Sequence, residues 1–127
     1  MQQHNFEYAV IRLVPRVERE EFINVGVIVY CRQHAFLKME YVVHEGRIRA
    51  LDEAAELGEI RDHLEAYQQI AEGVSTAGPI AALDIASRFR WLTAKRSTIV
   101  QSSAVHPGLC TDPAATLERL FEQLVEN

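Results

Sequence analysis

The run Phe6-Glu7-Tyr8-Ala9-Val10-Ile11-Arg12-Leu13-Val14 is rich in β-branched and aromatic residues, is apolar on both of its alternating faces, and stops at Pro15. Such a run suits a central strand covered from both sides; an edge strand would alternate polar and apolar positions. It therefore requires sheet neighbours and a packed layer above and below. Asn24 to Cys31 supplies a second strand, in which Gly26 marks a bulge or a close backbone approach. After the polar Arg32-Gln33-His34, the alternating segment Ala35 to Val42 reads as a third strand, and so short a connection makes the pair an antiparallel hairpin.

The period then changes to that of helices. Leu57, Ile60, Leu64, Tyr67 and Ala71 fall three and four apart, so the sequence predicts a long helix capped by Asp52 and running to about Glu72. Gly73 and the Ser75-Thr76-Ala77-Gly78-Pro79 cluster end it. A second helix is expected over about Ala82 to Ala94, with Ile85, Phe89 and Leu92 inward, and a short strand over Ser97 to Gln101, beside the first. Asp112-Pro113 offers an N-cap and a first-turn proline for a last helix, whose buried stripe is Leu117, Leu120, Phe121 and Leu124. The expected fold is α+β: one domain over residues 1–127, with an antiparallel-rich sheet of about four strands and three helices packed on it. A dinucleotide fold is excluded, because neither the βαβ rhythm nor a glycine-rich phosphate loop is present.

Charge narrows the function classes. The net charge is −5, with seven acids against one base in residues 51–75 and four bases against one acid in residues 76–110. An acidic total disfavours nucleic-acid binding, which draws its affinity from neutralised phosphates, whereas the basic segment leaves room for a small anion site. Cys31 and Cys110 form no CxxC, as expected of a protein in a reducing cytoplasm. No secretory leader and no bilayer-length apolar segment is read, so a cytoplasmic protein is expected.

Several polar residues stand in unusual places. Arg12 interrupts an apolar strand, and a guanidinium taken out of water needs a partner, so a carboxylate is expected against it. The alternative is that Arg12 is presented to an anionic ligand. Asn24 is disfavoured in a strand and is expected to bond to a nearby turn or bulge, with a ligand contact as the alternative. Arg88, Arg90, Lys95 and Arg96 surround Trp91, but their spacing does not place all four on one helix face, and a solvated surface is the default. The segment from Gln101 to Cys110 reads as a stiff loop carrying Ser102, Ser103 and His106. Any pocket is expected to be bordered by Arg12, Ser102 and His106, with anion binding weakening above about pH 6.5 if a protonated His106 contributes. The histidines show no metal-ligand spacing, and no third group can be named for a Ser–His or Cys–His pair. No catalytic residue, metal or cofactor is assigned.

Three ordered blocks carry a resemblance: Tyr8 to Pro15, Glu21 to Val27, and Arg88 to Leu92 leading to Gln101-Ser102-Ser103 and His106-Pro107-Gly108. Together they resemble the bacterial family catalogued as domain of unknown function 3037. The resemblance implies a small stand-alone bacterial protein, with members sometimes encoded beside a HipA-like kinase, hence a protein partner. It lends no catalytic residues. The expected role is a cytoplasmic accessory protein that binds a protein partner, without catalysis. The alternative is a small enzyme or ligand-binding protein with an anion site built from Arg12, Arg88 and the 101–108 loop through Gln101, Ser102 and His106, with Asn24 as a further candidate ligand contact. Homo-oligomerisation is left open.

Overall fold

The structure, a computed structural model, describes residues 2–126. Five strands form one antiparallel sheet: β1 (His4–Leu13), β2 (Ile23–Cys31), β3 (Phe36–Tyr41), β4 (Val100–Ser102) and β5 (His106–Cys110). The order is β3-β2-β1-β4, and β5 shares the β4 flank of β1. β4 pairs with Ile11–Leu13 and β5 with His4–Tyr8, so the sheet is four strands wide with a broken outer strand. The central position expected for the first strand is what the chain adopts.

Both faces of β1 are covered, as its double apolarity requires. Ala9, Ile11 and Leu13 pack with Ile28, Met39 and Phe89 in the larger core, beneath α1 (Glu45–Leu51), α2 (Leu57–Glu72) and α3 (Ile85–Leu92). Phe6 packs on the other face with Val27, Val29 and Leu117, beneath α4 (Pro113–Phe121). The result is α+β, with four α-helices among the described residues where three were expected.

The additional helix is α1, which the sequence reading left unassigned. Ile48 is fully buried and pins it to the sheet. Asp52 is the capping residue just past its C-terminus and does not cap the long helix; its carboxylate instead accepts a hydrogen bond from Ala54 N–H. α2 therefore begins at Leu57, and its end is closed by Gly73 at φ 69°. α3 is shorter than the expected span because Pro79–Ala82 forms a separate 3-10 turn, and Asp84 then caps α3 through Ser87 N–H. α4 starts at Pro113 with the Asp112 carboxylate bonded to the N–H groups of Ala114 and Ala115. Phe121 and Leu124 are half-buried, and Val125 takes the fully buried place beyond Leu120, because the π-helical turn Glu122–Glu126 shifts the phase of the stripe past α4.

Gly26 shows both features its type suggested. Ile11 faces Gly26 while Arg12 faces Asn24, so β2 carries a one-residue bulge. A Cβ at Gly26 would come 2.7 Å from the Glu40 carbonyl oxygen on β3. The segment read as a loop from Gln101 to Cys110 is the end of β4, a break at Ser103–Val105, and β5. The Ser103 hydroxyl bridges that break by accepting from Val10 N–H at 2.8 Å and donating to Ala104 O.

Candidate functional site

α4 packs mainly across β2 and β3, so the far end of β1 is left uncovered on that face. Arg12 occupies this end. In the register it stands between Asn24 on β2 and Gln101 on β4. A cleft of about 810 Å³ opens there, walled by the β1–β2 connection, the segment after α3, and β4.

The expected carboxylate at Arg12 is not found: among the described residues none forms an ion pair with it. Its guanidinium instead lies 4.2 Å from the centroid of the Phe22 ring. Its Nε is buried and has no hydrogen-bond partner among the described residues. Part of the explanation lies in the β1–β2 connection, where two of the three acids are already engaged and the third, Glu20, lines the cleft without forming an ion pair to Arg12. Glu18 pairs with Arg16 at 3.2 Å and Glu21 with Arg19 at 2.9 Å. The chain then turns through Glu20 in the left-handed region, at φ 59°, before it reaches Phe22.

The opposite wall brings Thr93, Lys95, Arg96 and Ser97 to the same cleft. Arg96 is held in place: it donates to the Trp91 carbonyl and to Tyr67 Oη (3.1 Å), and it lies 4.1 Å from the Trp91 ring centroid. Lys95 is exposed and has no ion-pair partner among the described residues. The floor is formed by Gln101, Ser102, Ser103 and Ala104. Gln101 Nε2 donates to Thr98 O at 2.8 Å, and Ser102 Oγ donates to Ser103 O at 2.9 Å. Arg12, Lys95 and Arg96 thus face a lining with one acid, Glu20.

Of the residues singled out from sequence, Arg12, Gln101 and Ser102 meet in this cleft. Asn24, Arg88 and His106 do not line it. Asn24 Nδ2 donates 3.0 Å to the Leu124 carbonyl, anchoring the C-terminal turn. Arg88 is a structural clasp that donates to Leu83 O (2.6 Å) and to Ala71 O (3.4 Å). His106 is exposed and sits against Tyr8, 5.3 Å between ring centroids. Tyr8 is its register partner, four residues before Arg12, or about 13 Å along the strand at the usual rise per residue. The expected Arg12–Ser102–His106 grouping is corrected accordingly: the break at Ser103–Val105 carries the chain away from Arg12 before His106 is reached. Phe22, Lys95 and Arg96 complete the site. Phe22, an aromatic residue in a polar connection, was the signal available in sequence.

The lining offers cationic groups, hydroxyls and one aromatic ring, the chemistry of anion recognition. Among the described residues no cluster of His, Cys, Asp and Glu has a metal-holding arrangement. No match was found among curated proteins or among solved structures. A family model described as Protein of unknown function (DUF3037) matches residues 8–125, which takes in the whole cleft and all four helices, and the chain belongs to that family.

Proposed function

We propose that the protein is a binding module that receives an anionic group in the Arg12 cleft. The observation that carries this reading is the Arg12 guanidinium itself, with no carboxylate against it and its buried Nε unbonded among the described residues. Arg12 is half-buried and lines the cleft, so an oxyanion entering it meets the accessible part of the guanidinium together with the field of Lys95 and Arg96. The three blocks by which the chain resembles its family all reach this place, through Arg12, Phe22 and Gln101-Ser102-Ser103.

The test is an amide-resolved NMR titration of the intact protein with inorganic phosphate. Shifts confined to Arg12, Phe22, Lys95–Ser97 and Gln101–Ala104 support the reading. Shifts scattered over the surface, or none at millimolar phosphate, overturn it.

A second reading has the group delivered by a protein partner in a bacterial cytoplasm. Phe22 and Leu109 favour it: at 45% and 59% they are the most exposed large apolar side chains among the described residues. The family resemblance points to a HipA-like kinase as that partner. Co-purification that survives in the wild type and fails in Phe22→Ser or Leu109→Ser separates this reading from small-ligand binding.

A further inference from the structure

Resting on the anion-binding reading, we infer that the cleft takes a phosphate monoester joined to a flat ring, the chemistry of a nucleoside monophosphate. The charge count comes first. Arg12, Lys95 and Arg96 against Glu20 leave an excess of two positive charges on the lining. A phosphate monoester carries about −1.5 to −2 near neutral pH and matches that excess, whereas a single carboxylate leaves half of it unmet. The positive charge is not spent within the protein, because the Arg96 hydrogen bonds go to neutral acceptors, Tyr67 Oη and the carbonyls of Trp91 and Ala94.

The ring follows from Phe22. A surface phenylalanine beside three cations is a poor choice for phosphate alone, which needs only donors and charge. One side of this ring is occupied by the Arg12 guanidinium at 4.2 Å, yet the residue remains 45% exposed. The free part of the ring, with the half-buried Val17 in the same lining, offers an apolar surface for stacking a base. A volume of about 810 Å³ falls within the range that accommodates small organic ligands. A single phosphate fits better than a triphosphate, because the sequence has no glycine-rich loop to wrap a polyphosphate in backbone N–H groups.

Isothermal titration of the intact protein with adenosine 5′-monophosphate, uridine 5′-monophosphate, ribose 5-phosphate, adenosine and inorganic phosphate tests this inference. The expected result is that at least one nucleotide binds about tenfold or more tightly than ribose 5-phosphate, the worth of one stacked base. Adenosine alone binds weakly, and Arg12→Met weakens every phosphate-bearing probe. Phe22→Leu brings the nucleotide-to-ribose-5-phosphate ratio close to one. If nucleotides and ribose 5-phosphate bind equally in the wild type, the ring is wrong and the anion site stands. If no probe binds, inorganic phosphate included, both readings fall. The wild-type comparison needs no variant, so a misfolded mutant cannot decide the outcome.

Discussion

The Arg12 guanidinium is stacked on Phe22, 4.2 Å from the ring centroid, and this contact takes the place of the carboxylate that a strand arginine ordinarily finds. It has a direct consequence for mutation. Removing one member of a buried ion pair strands the other and costs about 3–5 kcal/mol. Arg12→Met strands nothing: it loses a cation–π contact of about 0.5–1 kcal/mol and relieves an unbonded Nε whose burial costs at least as much. We predict a urea midpoint close to that of the wild type, together with loss of phosphate-induced NMR shifts. A large loss of stability would mean that Arg12 has a structural partner.

Glu7 and Arg90 form a two-pronged pair at 2.6 and 3.0 Å that ties α3 to β1. The hydrogen bonds that Arg90 donates to Glu7 are the main reason its pKa is raised above its ordinary value. Both side chains remain partly in water, at 32% and 58% exposure, so the contribution is modest. Glu7→Gln should destabilise the fold by no more than about 1 kcal/mol in low salt, and by less in 1 M sodium chloride. Urea titrations at the two ionic strengths give the comparison. An effect independent of salt would point to packing in place of charge.

Much of the fold could be read from the chain because its strongest signals are local. The double apolarity of Phe6–Val14 placed β1 at the centre, and Asp112-Pro113 marked the start of α4. α1 went unread because its seven residues carry one buried side chain, Ile48, too few to show a period. β5 went unread because its pairing with β1 spans roughly a hundred positions of sequence, and Pro107 and Gly108 signal a turn when taken alone. The site was legible only in part for the same reason. Arg12 announced itself as a charge in an apolar strand, but Phe22, Lys95 and Arg96 reach it through tertiary folding that no local pattern encodes.

Gly108 in β5 is required by Phe6. A Cβ there would come 2.5 Å from Phe6 Cε1 and 2.6 Å from Cζ. Phe6 is 5% exposed and packed under α4, so its ring has little room to yield. We predict that Gly108→Ala destabilises the protein by about 1–3 kcal/mol, the range for overpacking a filled core. Adding Phe6→Leu, which opens the space, should recover part of that loss in a double-mutant cycle. Strict additivity of the two changes would show that the ring and the glycine do not meet.

Cys110 gives the fold a dependence on alkaline pH. Its side chain is 5% exposed, and burial, reinforced by the neighbouring Cys31 thiol, raises its pKa above the ordinary thiol value. In the unfolded chain the same group titrates near about 8.5. Above that pH the unfolded state holds fewer protons than the native state, so stability falls as pH rises and is fully present below it. Tyr41 is also raised, by burial and by Glu65, but from an ordinary value of 10.0, so its share of the loss comes at still higher pH. Between about pH 8.5 and 10 the decline should therefore belong mainly to Cys110. Cys110→Ala should start from a lower stability and decline less steeply across that interval, and iodoacetamide should alkylate native Cys110 far more slowly than the unfolded thiol at pH 8. Urea midpoints measured from pH 7 to 10 for both proteins decide the matter, and parallel curves would show that the thiol is not the group responsible.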